Sequence, residues 1–426
     1  MHELYLKHDT YDEMIGLREI MAMKKPRILI LMHYMELGGA ESALLGLLQS
    51  VDPERADVDV FIYSHRGELM EYIPGDRVHL LDEIEAYSLT EKPISEVVRR
   101  GYIRLALARL MGRWQTSEFM KKVKCGDKPY ECATFFQQRQ TWKVLPKINP
   151  DVEYDLAVSF MTPHFIVLNN VRAKRKIGWI HTDYTRITID ADEERKMWER
   201  LDGIVSISEE VGKRFCEVFP SVKEKMIEIE NILNTRFIRK RACEDRVVLC
   251  EDADVKCLLT IGRYSAPKRL ECIPEMCRRV SDAGVKIKWF VIGYGSEEIE
   301  RVVKENIKKE GVEGSVVLLG KKDNPYPYIN ACDVYVQPSK YEGKSITVRE
   351  AQILCKPVVI THYPTAASQV KDGCDGMIVP LDVAGAACEL AAFLNDEQRQ
   401  QKIVLYLQEH DYGSEGEIEK LYNLAK

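Results

Sequence analysis

The sequence contains two series of short apolar runs, and each run is followed by a longer segment of helical periodicity. The first run, Arg27 to Met32 (RILILM), is apolar after its first residue, which is typical of a strand buried on both faces of a parallel sheet. Gly38 and Gly39 then predict a turn, and Ala40 to Leu48 predicts a helix. Strands and helices that alternate in this way predict an α/β fold.

The same pattern predicts further strands in both halves of the chain. In the first half they are Val58 to Tyr63, Leu156 to Phe160, Lys176 to Ile180 and Gly203 to Ile207. In the second half they are Lys256 to Ile261, Ile287 to Ile292, Val316 to Leu319, Val334 to Val336, Val358 to Ile360 and Met377 to Val379. Each half is predicted to be a Rossmann-like, doubly wound parallel sheet. The length of 426 residues agrees, because single cores stop growing near roughly 250 to 300 residues.

We expect four segments. Residues 1–22 form an N-terminal extension, either an accessory helix or residues upstream of the true start, and residues 23–240 form the first domain. Residues 241–411 form the second domain, and residues 412–426 form a C-terminal helix that crosses back to the first. The segment from Asn231 to Asp254 is weakly periodic and mixed in charge, which favours an interdomain connection over a core element.

Composition excludes several classes of protein. The net charge of −6, from 61 basic and 67 acidic residues, argues against a nucleic-acid partner. No apolar run approaches the roughly 20 residues of a membrane-spanning helix, and the first residues lack the apolar core of a signal peptide, so we expect a cytoplasmic protein. The 12 cysteines include no C-x-x-C pair, which favours reduced, buried thiols over a zinc site.

Two carboxylates mark the strongest candidate site. In the segment YEGKSITVRE, Glu342 and Glu350 flank a predicted turn from strand to helix. With Ser345 as N-cap, the first turn of the helix presents free amides that suit an anion or a sugar hydroxyl. The amides concerned are those of Ser345, Ile346 and Thr347. Carboxylates accept hydrogen bonds from vicinal hydroxyls, so the pair would contact two parts of one extended ligand; two solvated glutamates on a surface helix are the alternative.

Two cations follow another predicted strand, in the segment GRYSAPK that begins at Gly262. Pro267 predicts the first residue of a helix. Arg263 then lies on the loop at the strand end and Lys268 in the first helical turn, where both cations suit an anionic ligand. Ordinary surface ion pairs are the alternative.

The run from Asp333 to Pro380 resembles the donor-binding core of the retaining GT-B glycosyltransferases called glycosyl transferases group 1, including their E-x7-E motif at Glu342 and Glu350. The resemblance covers nearly the whole chain from Arg27, more weakly between about 65 and 150. Three residues depart from the family pattern, in which phenylalanine, glycine and glutamate are usual. They are Lys344, Cys355 and Gln369, in that order. These departures leave the sugar open.

The resemblance implies roles for the candidate residues in a nucleotide-sugar site. Glu342 would contact the donor sugar and Glu350 the ribose, while Arg263 and Lys268 would hold the diphosphate. The glycine-rich loop of the first domain would face the diphosphate, a second glycine loop would border the nucleotide, and a histidine would contact the sugar. These residues are Gly38 and Gly39, Gly293, and His181 after the strand Lys176 to Ile180.

The family implies a GT-B fold with two facing Rossmann-like domains. It implies transfer, with retention, of a sugar from a nucleotide donor, most simply a UDP-sugar, to a saccharide or lipid-linked acceptor in surface polysaccharide or glycoconjugate synthesis. No cofactor and no metal are implied, and we take the D-x-D triplets at Asp57, Asp190 and Asp252 as chance occurrences. No general base is assigned. Asp183 is a weaker candidate than His181 for a contact with the sugar, and His33, at the end of the first strand, is expected to be a structural or acceptor-side residue.

Other functions stay open. A catalytically silent sugar-nucleotide-binding protein and a GT-B nucleotide-sugar epimerase would share the same fold. An NAD-dependent oxidoreductase is disfavoured, because Gly293-Tyr294-Gly295 is followed by Glu298 where a dinucleotide fingerprint needs its third glycine.

A basic stretch interrupts the first domain. Ten basic and three acidic residues lie between Lys92 and Lys128, a net charge of +7 against −6 for the whole chain. Within residues 93–128 the basic residues alternate with apolar ones, among them Arg104, Arg109, Leu107 and Trp114. This composition is typical of a helix on an anionic membrane, which would make the protein peripheral on the inner face of the cell membrane. The alternative is a solvated basic face over apolar residues that pack on the sheet.

Overall fold

The computed structural model describes residues 25–123 and 132–426. These residues form two α/β domains, each built on one parallel sheet, as the sequence predicted. The predicted extension at residues 1–22 and the end of the basic stretch at 124–128 lie outside the described residues.

The first sheet has seven strands in the order β3-β2-β1-β4-β5-β6-β7. They are β1 (Arg27–Met32), β2 (Asp57–Ile62), β3 (His79–Leu80), β4 (Tyr154–Ser159), β5 (Ala173–Ile180), β6 (Gly203–Ser206) and β7 (Met226–Glu228). The central strand β1 is buried from Ile28 to Met32, which explains its unbroken apolar run.

The second sheet has six strands in the order β10-β9-β8-β11-β12-β13. They are β8 (Lys256–Ile261), β9 (Ile287–Ile292), β10 (Val316–Gly320), β11 (Val334–Gln337), β12 (Val358–Thr361) and β13 (Met377–Val379). In both sheets the strand order reverses beside the first strand of the domain, and open α/β sheets bind ligands at the carboxyl ends of such strands.

Helices cover both sheets. In the first domain they are α1 (Gly39–Gln49), α2 (Glu85–Ser88), α3 (Ile94–Arg99), α4 (Ile103–Lys122), α5 (Cys132–Thr141), α6 (Phe165–Asn170), α7 (Ala191–Trp198) and α8 (Glu209–Val218). After these come α9 (Thr235–Ala242), α10 (Ile273–Asp282), α11 (Glu297–Glu310), α12 (Tyr326–Ala331), α13 (Ile346–Ile353), α14 (Ala366–Gln369), α15 (Val383–Leu394), α16 (Glu397–Glu409) and α17 (Ile418–Leu424). In the described part of the chain, no helix has the length and apolar character needed to span a bilayer.

The connection between the domains differs from the prediction. The segment from Asn231 to Asp254 was expected to lack a core element, but it contains α9, whose residues Ile238 and Ala242 are buried in the core of the second domain. The expected boundary between residues 240 and 241 therefore falls inside a helix. Four of the eight residues of α9 are charged, so the apolar positions that pack against the core are not evident from the sequence.

The end of the chain returns to the first domain. Leu421 and Tyr422 of α17 are buried in its core, and the hydroxyl of Tyr422 accepts a 2.8 Å hydrogen bond from the backbone amide of Asp52. Two segments thus connect the domains, one before α9 and one before α17.

The basic stretch folds into α3 and α4, and α4 packs on α5 through its inner face. A side chain on Gly112 would collide with the backbone of Gln137, so the two helices are in close contact there. Arg109, counted among the basic surface residues, is instead buried and donates to the carbonyl oxygens of Leu89 (2.9 Å) and Lys92. That arginine anchors α4 to the preceding loop.

Candidate active site

The glycine-rich turn of the first domain faces the start of α13 in the second. A β-carbon on Gly39 would lie 3.9 Å from Cδ1 of Ile346, and Ile346 packs against the cores of both domains. Nearby, the hydroxyl of Tyr294 donates to the carbonyl oxygen of Leu37 across the same junction. The carboxyl ends of the two sheets therefore line opposite walls of one cleft.

Glu342 is buried and its carboxylate is held in one orientation. Lys268 Nζ donates to Oε1 at 2.7 Å and to Oε2 at 2.9 Å. Ser339 Oγ and Gln337 Nε2 donate to Oε1 at 2.6 and 3.2 Å. Among the described residues only Lys268 donates to Oε2, so this oxygen retains a lone pair that a ligand hydroxyl can use.

The loop that carries the two cations differs from the prediction, because Pro267 does not begin a helix. Pro267 and Lys268 lie in a turn, and Arg269 adopts a left-handed conformation (φ 56°) that a helix cannot continue through. The helix α10 begins only at Ile273, with Pro274 in its first turn. Lys268 therefore reaches Glu342 from a turn, ahead of the short 3-10 helix Leu270–Cys272 that leads into α10.

Arg263 lies on the exposed loop after β8 and points its charge across the cleft. Burial raises the pKa of Glu41, in the first turn of α1, while the guanidinium of Arg263 and a backbone hydrogen bond oppose that rise. The carboxylate of Glu41 folds back over Gly38, where a side chain would collide with it. A cation of one domain and a carboxylate of the other thus face each other beside the glycine-rich turn.

Glu350 lies in the middle of α13 and is 3% exposed. The hydroxyl of Tyr326 donates a 2.9 Å hydrogen bond to its Oε1. Burial raises the pKa of Glu350 to about 7, although the hydrogen bond from Tyr326 opposes the rise. The carboxyl is therefore poised between its two protonation states near neutral pH.

The start of α13 offers fewer free amides than predicted. The amide of Ser345 already donates to Gln369 Oε1 at 3.1 Å, and Gln369 Nε2 donates back to the carbonyl oxygen of Ser345. No acceptor is recorded among the described residues for the amides of Ile346 and Thr347. These two amides, rather than three, are available at the helix start.

The second glycine loop brings β8 and β9 together at their carboxyl ends. A side chain on Gly293 would collide with the carbonyl oxygen of Gly262, so only glycine allows the two backbones to approach this closely. Carbon atoms of the Lys268 side chain lie 3.5 Å from the position that a β-carbon on Gly262 would take. Gly262 and Gly293, both predicted as site residues, therefore lie where the loop that carries Arg263 and Lys268 leaves the sheet.

His181 follows β5 on the first-domain wall. Its Nε2 lies 2.9 Å from the carbonyl oxygen of Phe160, and a carbonyl can only accept, so Nε2 carries the proton and Nδ1 is an acceptor. Burial lowers the pKa of His181 to about 4. His164 is buried nearby and His33 is half-buried, and no hydrogen-bond partner among the described residues is recorded for His33 Nε2 or for either ring nitrogen of His164.

Asp183 connects the two walls directly. It is buried and accepts a 3.0 Å hydrogen bond from the hydroxyl of Tyr341, the residue before Glu342. Arg214 Nη1 and Arg186 Nε lie 3.2 and 3.3 Å from the same carboxylate oxygen, and the Arg186 guanidinium stacks 4.0 Å from the centre of the Tyr341 ring. Asp183 is thus bound within an interdomain contact, which we call the clasp.

Two of the departures from the family pattern have a structural explanation. Lys344 forms an ion pair with Glu230, in the segment that connects the domains. Cys355, just past the end of α13, has a left-handed backbone (φ 56°), which is the conformation that glycine adopts without strain.

Several residues of the site were missed at the level of sequence. Ser339 and Gln337 orient Glu342, and their position directly after a strand was the available signal. Tyr326 and Glu41 carry no such signal, because each comes from a different element and reaches the site only through the fold. Tyr341 adjoins Glu342 in the sequence, but its contact with Asp183 of the first domain depends on the fold. Among residues 25–123 and 132–426, no group of three or more metal-ligating side chains is placed to hold an ion.

Residues 244–410 match the model of a protein family described as Glycosyl transferases group 1. The structure superposes with a TM-score of 0.63 on the crystal structure of Anabaena HepE in complex with UDP-glucose, at 14% identity over 93% of this chain and 98% of that one. This likeness establishes the fold. The protein therefore has a GT-B fold, and its second domain is the part that matches the glycosyl transferases group 1 family model.

Two relatives act on bacterial glycans. The lipopolysaccharide core biosynthesis glycosyltransferase LpsE of Rhizobium meliloti is 26% identical over 181 residues, which are 41% of this chain and 50% of LpsE. The N-acetylgalactosamine-N,N'-diacetylbacillosaminyl-diphospho-undecaprenol 4-alpha-N-acetylgalactosaminyltransferase of Campylobacter jejuni is 27% identical over 164 residues, which are 38% of this chain and 42% of that enzyme. The chain thus spans about half the length of these relatives, or less.

Proposed function

We propose that this protein is a glycosyltransferase that moves a sugar from a nucleotide-sugar donor, a UDP-sugar, to a hydroxyl of a saccharide or lipid-linked acceptor, with retention at the anomeric carbon. The observation that carries the proposal is the oriented carboxylate of Glu342. This carboxylate accepts a 2.7 Å hydrogen bond from Lys268, and Glu342 lies just before the free amides at the start of α13 in the chain. The family match and the glycan-building relatives support the same class of reaction.

The second domain supplies the groups that such a donor needs. The lone pair that remains on Oε2 of Glu342 accepts from a sugar hydroxyl, and Glu350 accepts from a ribose hydroxyl. Lys268, Arg263 and the amides at the start of α13 face the diphosphate, whose negative charge grows as the sugar leaves. A cation close to that charge contributes about 4 kcal/mol of gross attraction at an effective dielectric constant of 20. Catalysis then requires no metal.

The first domain supplies the acceptor side. His181 presents Nδ1 as a hydrogen-bond acceptor to the sugar, and Gly38 and Gly39 let the backbone approach the diphosphate. No side chain is assigned as general base; in the front-side mechanism proposed for retaining enzymes of this kind, the leaving phosphate oxygen takes the acceptor proton. The acceptor belongs to a surface polysaccharide or glycoconjugate, in keeping with the relatives.

A donor panel tests this function. Nucleotide sugars are screened by thermal shift, since a specific ligand stabilises the folded state by mass action. The best donor is then incubated with enzyme and EDTA, and release of the free nucleotide diphosphate is measured. We expect stabilisation by a UDP-sugar and slow release of UDP. Stabilisation without any release, with or without saccharide acceptors, would indicate a silent binding protein, and a changed sugar still attached to UDP would indicate an epimerase.

Retention has its own test. The anomeric configuration of the first product is read by proton NMR before mutarotation, or from the linkage formed to the acceptor. A product that keeps the configuration of the donor supports the proposal, and an inverted product contradicts it.

A further inference from the structure

The outer face of α4 is apolar and exposed. Five large apolar side chains on this helix, Ile103, Leu107, Leu110, Met111 and Trp114, are 49, 61, 48, 48 and 58% exposed. Their spacing of three or four residues places them within an arc of about 100° on one side of the helix. The opposite side buries Leu105 and Gly112 against the domain, so the exposed arc is a separate surface.

Most of the large exposed apolar side chains in the described part of the chain lie here. Outside this helix they are Val98, on the adjacent α3, and three scattered residues, Val248, Leu381 and Leu405. Exposed apolar residues that occur singly are normal, whereas a contiguous patch indicates a binding surface. The arc of α4, extended by Val98, is therefore unusual for a solvated helix.

Basic side chains surround the same arc. Arg99, Arg104, Arg113 and Lys122 are exposed, and no ion pair within residues 25–123 and 132–426 is recorded for any of them. Arg100 and Lys121, also exposed, pair with Glu85 and Glu118 at 3.0 and 2.7 Å. Unpaired cations beside exposed apolar side chains are complementary to a partner whose outer layer is negatively charged and whose interior is apolar.

We propose that this surface, the outer face of α4 with its basic rim, docks on an anionic membrane. Leucine, methionine and tryptophan side chains would enter the boundary between headgroups and acyl chains, and the arginines would remain among the anionic headgroups. A second copy of this chain fits less well, because two-fold pairing of this face would place the basic rims of both copies, which include Arg104 and Arg113, next to each other.

The surface lies on the domain to which the proposed function assigns the acceptor. The inference rests on the proposed function, because the docking surface would explain how the protein reaches a lipid-linked acceptor. The measurement of docking does not depend on that function. Membrane docking is measured without a donor, and release of UDP is measured without a membrane. Failure of one therefore leaves the other intact.

Vesicle flotation of the full chain tests the docking surface. Vesicles of phosphatidylcholine alone are compared with vesicles that also contain phosphatidylglycerol. We expect binding to the anionic vesicles to be at least about tenfold tighter and to weaken as salt is added. Equal recovery with both vesicles, or binding that salt leaves unchanged, would overturn the electrostatic part of the proposal without any need for a variant.

Matched variants locate the surface. Leu107→Glu combined with Trp114→Glu should lower anionic-vesicle binding by at least about tenfold, since it places charge where the apolar contact forms. Leu405→Glu, at a side chain 53% exposed on α16, should leave binding unchanged. If the double variant binds like wild type, or if both variants lose binding equally, this face is not the docking surface.

The basic rim and self-association are examined in the same way. Arg104→Glu combined with Arg113→Glu should reduce binding several-fold, whereas Lys308→Glu on α11 should not. Sedimentation velocity gives the oligomeric state: a monomer in which Leu107→Glu changes nothing agrees with the proposal. A dimer that Leu107→Glu dissociates would assign the surface to a second copy of this chain instead.

Discussion

The two walls of the cleft differ in whether their buried polar atoms have hydrogen-bond partners. On the second-domain wall, the carboxylates of Glu342 and Glu350 are buried and each is held by hydroxyl, amide or ammonium donors. On the first-domain wall, ring nitrogens of His33 and His164 are buried without a recorded partner among the described residues. A buried polar atom without a partner costs free energy, so one wall is preorganised and the other carries a stability cost.

This difference agrees with the separate roles that the proposed function gives to the two walls, donor binding for the second domain and acceptor binding for the first. A nucleotide diphosphate sugar has the same charges in every reaction that uses it, so its groups can be fixed in advance. The first-domain wall, to which the proposed function assigns the acceptor, has no recorded hydrogen-bond partner for His33 Nε2 among the described residues. The predictions below act on one wall, on both, or on the clasp between them.

The largest effect is expected at Lys268. Lys268→Ala removes the cation that holds Glu342 and that the proposed function places at the diphosphate, so kcat should fall by roughly 10²-fold or more, as for loss of one oxyanion donor. Steady-state turnover of the best donor measures it. Lys308→Ala, at an exposed lysine of α11, is the matched control and should be silent. A near wild-type rate for Lys268→Ala would exclude the diphosphate role.

The first-domain wall should lose stability in acid. Burial lowers the pKa of His164 from 6.5 to about 3, so protonation favours the unfolded chain. The stabilisation is complete well above pH 6.5 and is lost as the pH falls towards the folded pKa. Between about pH 7 and about pH 5, this one histidine should account for about 2 kcal/mol of unfolding free energy.

Urea unfolding as a function of pH measures the slope. His164→Gln should flatten it, whatever its effect on the absolute stability, while His410→Gln, at an exposed residue of the second domain, should leave it unchanged. An unaltered slope in His164→Gln would mean that His164 is not the group that titrates.

Loss of the hydrogen bond in the clasp should lower kcat/KM by about tenfold. Tyr341→Phe removes the 3.0 Å hydrogen bond to the buried Asp183 carboxylate, and hydrogen bonds to charged groups contribute about 1.5 to 3 kcal/mol. Because Tyr341 precedes Glu342, we expect kcat/KM to fall by about tenfold, together with some loss of thermal stability. Tyr406→Phe is the control. Equal kcat/KM in both variants would show that the clasp does not position the donor site.

Donor affinity should depend on pH through Glu350. The pKa of this carboxyl is raised to about 7 by burial, and only the ionised form is a charged acceptor for ribose hydroxyls. Affinity for UDP should therefore decrease several-fold as the pH falls from about 8 to about 6. Calorimetric titration of wild type and Glu350→Gln compares them; a pH dependence that persists in Glu350→Gln would assign it to another group.

The smallest effect concerns Cys355. Its left-handed backbone favours glycine, so Cys355→Gly should stabilise the second domain by about 0.5 to 1 kcal/mol in denaturant unfolding. Cys374→Gly, at an exposed cysteine on the same domain, is the comparison and should not stabilise it. Destabilisation by Cys355→Gly would mean that the thiol packing outweighs the backbone strain.

Much of the fold followed from local pattern. The ends of the predicted strands lie within about three residues of the observed ones because buried parallel strands are continuous apolar runs. The two missed strands, β3 and β7, have two and three residues and lie at the edges of the first sheet, where no such run is needed. Pro267 failed as a helix start because the left-handed Arg269 follows it.

By itself the sequence determined that the chain forms two parallel α/β sheets, that Arg263 and Glu342 follow strands of the second sheet, and that Glu350 lies in the helix after Glu342. Periodicity and turn residues are local properties, so they can be read along the chain. Only the tertiary structure decided which donors hold each carboxylate, that Arg109 is buried and that the apolar side of α4 faces outwards. Those outcomes depend on contacts between residues far apart in the chain, which no local pattern encodes.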